Sequence, residues 1–154
     1  MSDEIKIPEA NEIVPLLSAL IGKDMRVGAE SSPVEPSTIV EHLTVFVADD
    51  GTPVMLAGGD APFAYFSGAA LALIPKGRAE DAISGGEPDP DLTDNYREVM
   101  NVLTRVINDA GDIHVRLVPG SKPDLEALPE PRSGRAYEFD IDGYGTGALN
   151  FWKL

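Results

Sequence analysis

Residues 93 to about 110 of this 154-residue chain constrain its fold most, because apolar residues recur there at the spacing of an α-helix. The apolar side of the predicted helix consists of Val99, Met100, Val102, Leu103, Val106 and Ile107. The opposite side carries Asp94, Glu98, Asn101, Arg105 and Asn108, and we expect it to face solvent. Gly111 is expected to follow the helix as its C′ residue. Such a helix must bury its apolar side against a second layer of structure.

Two hairpins are predicted for that second layer. In each, two apolar runs flank a turn sequence rich in Asp and Gly, a combination that is typical of antiparallel strands joined by a tight turn. The hairpins pair residues 43–48 with 53–57 around Asp49-Asp-Gly-Thr, and residues 136–141 with 147–153 around Asp142-Gly-Tyr-Gly. The second layer is therefore expected to be a mainly antiparallel sheet.

The remaining segments complete an α+β pattern. The continuous apolar run at residues 63–74 is interpreted as a buried strand, and residues 114–118 as a further strand. Residues 9–21 and 76–83 have the spacing and the following glycines of helices. Residues 31–37 and 122–134, which are rich in Pro, Ser or acidic residues, are expected to be loops. No separating linker is visible, so residues 1–154 are interpreted as one domain.

Composition excludes several classes of function. With 26 Asp and Glu against 12 Lys and Arg, the chain has a net charge of −14, which disfavours nucleic acid and anionic membrane as partners. The absence of Cys excludes disulfides, thiolate metal sites and a Cys nucleophile. No cluster of metal-ligating residues is visible. The N-terminal residues do not resemble a secretory signal, and residues 61–75 are too short an apolar run to cross a bilayer, so a soluble cytoplasmic protein is expected.

The polar side of the predicted helix carries a spaced motif. Asp94, Glu98 and Asn101 are separated by three and two residues, and 21 residues later comes Pro123. Together with the preceding segment Phe66-Ser-Gly-Ala-Ala-Leu-Ala-Leu-Ile-Pro, this pattern resembles the signature of the CheC/CheX/FliY (CheC-like) family of chemotaxis phosphatases, which also includes FliM-type switch proteins. The resemblance implies a CheC-like fold, with long helices packed on a mainly antiparallel sheet and two pseudo-symmetric halves.

The resemblance also implies roles for individual residues. Asn101 would be a catalytic residue that orients a water molecule towards the phosphoaspartate of a CheY-like response regulator, and Glu98 would pair with an active-site lysine of that partner. Asp94 and Arg105 would help to bind the partner, and Pro123 would shape the loop after a strand. The protein would need no cofactor of its own, because the response regulator carries the Mg²⁺. Relatives of the CheX type form dimers, so a homodimer is a further expectation.

Residues 12–22 can be laid over residues 98–108 as an internal repeat. Glu12 then corresponds to Glu98 and the apolar pattern recurs, but Pro15 takes the position of Asn101. The overlay therefore predicts a single active site, in the second half of the chain, as in CheX.

One alternative to a phosphatase stays open. The same fold could serve as a non-catalytic, FliM-like module that docks a receiver domain or a motor component. A small-molecule-binding protein has no positive support in the sequence. Exposure of the Asp94, Glu98 and Asn101 side chains separates the docking module from a phosphatase, because a phosphatase needs all three open to solvent.

Overall fold

A six-stranded antiparallel sheet with helices on one face forms the protein, which confirms the predicted α+β class. The computed structural model describes residues 5–119 and 122–154. Its helices are α1 (Ala10–Ile21), α2 (Ala61–Leu71), α3 (Lys76–Gly85) and α4 (Pro90–Ala110), with 3₁₀ turns at Pro36–His42 and Leu125–Ala127. Its strands are β1 (Met25–Ser31), β2 (Leu43–Ala48), β3 (Pro53–Gly59), β4 (Val115–Leu117), β5 (Ser133–Ile141) and β6 (Gly145–Lys153).

The strand order β1-β5-β6-β3-β2-β4 contains a repeat. Each half of the chain runs helix, strand, 3₁₀ turn and hairpin: α1-β1 with β2-β3, and α4-β4 with β5-β6. The first strand of each half pairs with the hairpin of the other half, since β1 pairs with β5 and β4 pairs with β2. The two halves meet in the central β3-β6 pair. This exchange confirms the expected pseudo-symmetry.

The sheet buries apolar residues on both faces. Because side chains alternate along a strand, Phe46 lies in the main core under the helices, whereas Val45 and Val47 lie on the other face. That second face also carries Leu56 and Trp152 and is covered by the two 3₁₀ turns through Ile39, Val40, Leu125 and Leu128. The predicted loop at residues 122–134 therefore contributes to the core, and its last residues belong to β5.

The predicted buried strand at residues 63–74 is wrong, because most of this segment is helix α2. Asp60 begins the helix by accepting a hydrogen bond from the Phe63 amide at 2.9 Å. Residues 63–70 are all buried, since α2 packs against α4, α3 and the sheet. A helix buried on every side has no polar stripe, so its apolar run cannot be told from a buried strand by periodicity.

Three other expectations need correction. Strand β1 was not expected, because it is an edge strand in which only Met25 is buried and no apolar alternation marks it. Helix α4 begins three residues earlier than expected, at Pro90, with Asp89 as its N-cap. Gly111 follows the helix as expected, but its φ of −107° is not the left-handed conformation usual for a C′ glycine.

Asp89 caps the N-terminus of α4, and the side chain of Arg78 holds its carboxylate in place. Asp89 accepts hydrogen bonds from the amides of Asp91 and Leu92 at 3.2 and 3.4 Å. The Arg78 guanidinium donates to the two carboxylate oxygens of Asp89 at 2.8 and 3.0 Å, and chiefly through these bonds it lowers the pKa of Asp89. The charged form of Asp89 therefore stabilises the folded state.

We expect Asp89→Ala to lower the free energy of unfolding at neutral pH by about 1 kcal/mol, the usual cost of losing an N-cap. Because the folded-state pKa is depressed, this contribution is complete above the normal Asp pKa of about 3.9 and is lost as pH falls through the lower folded-state value. Urea unfolding at neutral and acidic pH should show the difference from wild type shrinking in acid. A difference that stays constant with pH would contradict a stabilising charge at Asp89.

Candidate functional site

The polar side of α4 is open to solvent along most of its length. Asp94, Glu98, Asn101 and Arg105 are exposed, as predicted. The opposite side of the helix is buried through Leu92, Tyr96, Val99, Met100, Leu103, Val106 and Ile107. The structure therefore brings all four predicted site residues to one exposed surface of a single helix.

Asn108 does not belong to this surface, contrary to the prediction. Its side chain donates to the Val115 carbonyl at 3.0 Å and accepts from the Val115 amide at 2.7 Å. It thereby replaces a strand partner for β4 and ties that strand to the end of α4. Helical spacing alone could not reveal this, because the contact depends on where the chain returns after Gly111.

Glu98 and Asn101 lie next to each other, one helical turn apart. The Asn101 amide nitrogen is 3.5 Å from a carboxylate oxygen of Glu98, at the long limit for a hydrogen bond. Neither side chain makes another hydrogen bond within residues 5–119 and 122–154. Both are therefore free to exchange this weak contact for groups on a partner.

Asp94 already has a cationic neighbour, which sequence reasoning did not single out. One carboxylate oxygen of Asp94 lies 3.2 Å from the Arg97 guanidinium, and both side chains are well exposed. An exposed pair of this kind stabilises the fold by no more than about 1 kcal/mol. Arg105 forms no ion pair with any residue that the structure describes. The Asp94–Arg97 pair and Arg105 thus flank Glu98 and Asn101 along the helix.

Two contacts on the underside of α4 fix its rotation. The buried Tyr96 hydroxyl donates to the His42 carbonyl at 2.6 Å and accepts from the Gly59 amide at 2.9 Å. Burial raises the pKa of Tyr96, so the phenol stays protonated and keeps donating. The Asn95 amide donates to the Gly68 carbonyl of α2 at 3.0 Å. These bonds hold the Glu98 side of the helix outward.

A groove of about 470 Å³ lies beside Asn101, between α4 and the strands β2 and β4. It is lined by Leu43, Thr44, Val45, Arg97, Met100, Asn101, Leu117, Val118, Pro119 and Pro123. Pro123, which was expected only to shape its loop, is half-buried and forms part of the groove wall. The groove was not predicted, because its walls come from three segments far apart in the sequence.

Helix α1 has the burial pattern that the internal overlay predicts, but its glutamate has a different contact. Its buried residues Ile13, Leu17 and Ile21 correspond in the overlay to Val99, Leu103 and Ile107, all of which are buried. Because α1 begins at Ala10, Glu12 lies in its first turn, where its carboxylate accepts from the Glu9 amide at 2.9 Å. The first half therefore lacks the amide, since Pro15 takes its place, and uses its carboxylate as a cap.

Within residues 5–119 and 122–154, no three His, Asp or Glu side chains lie close enough together to bind a metal ion. None of the helices in these ranges combines the length and the apolar character needed to cross a bilayer.

Comparisons with known proteins identify the fold. No family model matches the chain, and no curated protein matches it in sequence. Among solved structures, a chain of the FliM–SpeE complex from H. pylori is 8% identical with a TM-score of 0.63, the match covering 94% of this chain and 80% of that one. CheX from Desulfovibrio desulfuricans is 12% identical with a TM-score of 0.51, covering 94% and 95%. A chain of the CheX–CheY–BeF₃–Mg²⁺ complex from Borrelia burgdorferi is 8% identical with a TM-score of 0.50, covering 93% of each chain.

These similarities confirm the expected CheC-like fold. The matched structures include both CheX proteins and a FliM complex, and the matches cover nearly all of this chain. At 8% to 12% identity they establish the architecture and leave the activity to be argued from the site.

Proposed function

We propose that this protein is a phosphatase that accelerates dephosphorylation of a phosphorylated CheY-like response regulator. The observation that carries the proposal is the pair Glu98 and Asn101, exposed one turn apart in the middle of α4 and bonded only weakly to each other. The fold adds support, because it is shared with CheX, and one matched CheX structure is a complex with CheY, BeF₃ and Mg²⁺. Beryllium fluoride stands in for the phosphoryl group in such a complex.

Asn101 is the residue that orients the attacking water. Its carboxamide oxygen accepts a hydrogen bond from the attacking water, while its nitrogen donates to a different group. The side chain can therefore hold the water in line with the phosphorus without taking a proton. The water oxygen bonds to phosphorus as the bond from phosphorus to the aspartyl oxygen breaks. The electron pair of that bond stays on the aspartate carboxylate, and inorganic phosphate leaves with both protons of the attacking water. The response regulator supplies the Mg²⁺ that neutralises charge on the phosphoryl oxygens.

Glu98 secures the register between the two proteins. A carboxylate close to a phosphoryl group is repelled unless it meets a cation, so its partner is the lysine at the receiver's active site. Asp94 and Arg105 lie outside the pair on the same side of α4 and contact the receiver further from the phosphorus. The role of all four residues is to enter or border the partner's site, which is why this chain needs no metal centre of its own.

A non-catalytic docking module is the second candidate. It is favoured by one observation, since the TM-score to a chain of the FliM–SpeE complex is 0.63, against 0.51 for the CheX of Desulfovibrio desulfuricans. In that case the exposed surface of α4 binds a receiver domain or a motor component without speeding hydrolysis.

Decay of the receiver's phosphoaspartate, followed with and without the protein, separates the two candidates. Binding to the same receiver loaded with beryllium fluoride is measured in parallel. Faster decay supports the phosphatase. Unchanged decay with retained binding identifies a docking module for receivers, and absence of both rejects the phosphatase and any module that docks this receiver.

We expect Glu98→Gln to raise KM for the phosphorylated receiver by about 10- to 100-fold, because a hydrogen bond to a charged partner contributes about 1.5–3 kcal/mol. The change keeps size and shape but removes the charge, so kcat should fall much less. Glu80→Gln is the matched control, since Glu80 is an exposed glutamate on α3. Equal KM values for wild type and Glu98→Gln would show that Glu98 meets no cation.

A further inference from the structure

We propose that the groove beside Asn101 binds an apolar side chain of the same phosphorylated receiver, while an acidic group of that receiver pairs with Arg97. This inference rests on the proposed function and extends it, because it names the surface that selects the partner. The groove contributes to affinity for the receiver, and Asn101 acts in the chemical step.

The composition of the groove points to an apolar occupant. Of the ten described residues that line it, seven are apolar: Leu43, Val45, Met100, Leu117, Val118, Pro119 and Pro123. Although the chain contains 26 Asp and Glu, none of the described residues that line the groove is acidic. Its volume of about 470 Å³ is enough to hold one or two apolar side chains of a partner.

Part of the apolar wall is exposed in the free protein. Val118 is 41% exposed, and Pro119 beside it is also exposed. Exposed apolar surface next to a polar functional surface is typical of a binding site, because a partner that covers it removes the apolar area from water. Asn101 and Val118 line the same groove, so a partner group that fills the groove beside Asn101 also contacts Val118.

Arg97 gives the groove its charge preference. It is the single charged residue among the described lining residues, and its exposed pair with Asp94 can be exchanged for another carboxylate. A receiver that holds Mg²⁺ next to a phosphoaspartate needs one or two further carboxylates as ligands, since the ion prefers oxygen. The receiver therefore carries carboxylates beside its phosphorylation site, and an acidic group there complements Arg97.

The test replaces one apolar contact in the groove and a matched one outside it. Val118→Asp is expected to raise KM for the phosphorylated receiver by about 10-fold or more with little change in kcat, as for loss of a central apolar contact. Val27→Asp is the control: Val27 is 48% exposed on β1, at the opposite edge of the sheet, and should leave KM unchanged. Arg97→Gln provides a second variant and should raise KM by a smaller factor.

Binding to the beryllium fluoride-loaded receiver gives a second readout that does not depend on activity. Weaker binding by Val118→Asp but not by Val27→Asp supports the groove, even if the wild type fails to speed phosphate release. If the wild type is an active phosphatase and both groove variants match it in KM and in binding, the groove proposal is overturned and the phosphatase stands. A receiver that does not bind at all overturns both.

Discussion

Replacing Asn101 with alanine is expected to lower the rate of catalysed phosphate release by about 100-fold while binding of the receiver persists. The carboxamide is the group that positions water in the proposed mechanism, and loss of correct positioning typically costs a factor of this size. The measurement is kcat for a phosphorylated receiver domain, with affinity for the beryllium fluoride-loaded form determined separately. A small change in affinity is expected, because the side chain is neutral and makes one weak hydrogen bond in the free protein.

The lower rate of phosphate release in Asn101→Ala should not arise from unfolding. Asn101 is exposed in the middle of α4, where alanine is the better helix former, so the variant should be at least as stable as the wild type. Asn11→Ala is the matched control, because Asn11 is an exposed amide on α1. An Asn101→Ala variant that releases phosphate at the wild-type rate would contradict a catalytic role for Asn101.

Replacing Gly68 with alanine is expected to lower the free energy of unfolding by about 2 kcal/mol or more. Gly68 is buried in α2, and a methyl group there would overlap the Leu92 carbonyl oxygen at the start of α4. Backbone of this kind cannot rotate away, so the two helices would have to separate. Urea unfolding followed by circular dichroism measures the effect.

A second glycine in a helix supplies the control for this prediction. Gly77 in α3 has open space where a Cβ would be, so Gly77→Ala should leave stability unchanged or raise it by up to about 1 kcal/mol. Equal stability of Gly68→Ala and wild type would mean that α2 and α4 do not pack this closely. Because Asn95 also bonds to the Gly68 carbonyl, separation of the helices should disturb the part of α4 that leads to Glu98.

The sequence predicts an element where one face lies in the core and one in water, or where a turn marks its ends. Helix α4 is of the first kind, so its position and its exposed side follow from periodicity. The two hairpins are of the second kind: β2, β3 and β6 are largely buried on both faces, and the Asp- and Gly-rich turns between the apolar runs locate them. Helix α2 is buried on all sides and β1 is exposed on nearly all sides, so neither gives a periodic signal. The wrong and missing predictions therefore fall on the most and the least buried elements.

Sequence spacing predicts one part of the candidate site, and the other part depends on how distant segments pack together. Asp94, Glu98, Asn101 and Arg105 lie on one helix, so their spacing alone places them together. Arg97 and the groove could not be predicted, because the groove depends on β2 and on the segment after β4 packing beside α4. Pro123 is the one groove residue outside α4 that the motif includes, separated from Asn101 by 21 residues. In the structure it forms part of the groove wall.

Turnover of excess phosphorylated receiver by a small amount of this protein is the most direct test of the proposed phosphatase function. Phosphate release is measured with the receiver in large molar excess, and spontaneous decay is subtracted. The proposal predicts that the initial rate rises in proportion to protein concentration and that each molecule releases many phosphates. A rate equal to spontaneous decay at every protein concentration, with the receiver bound, would contradict catalysis and identify the protein as a docking module.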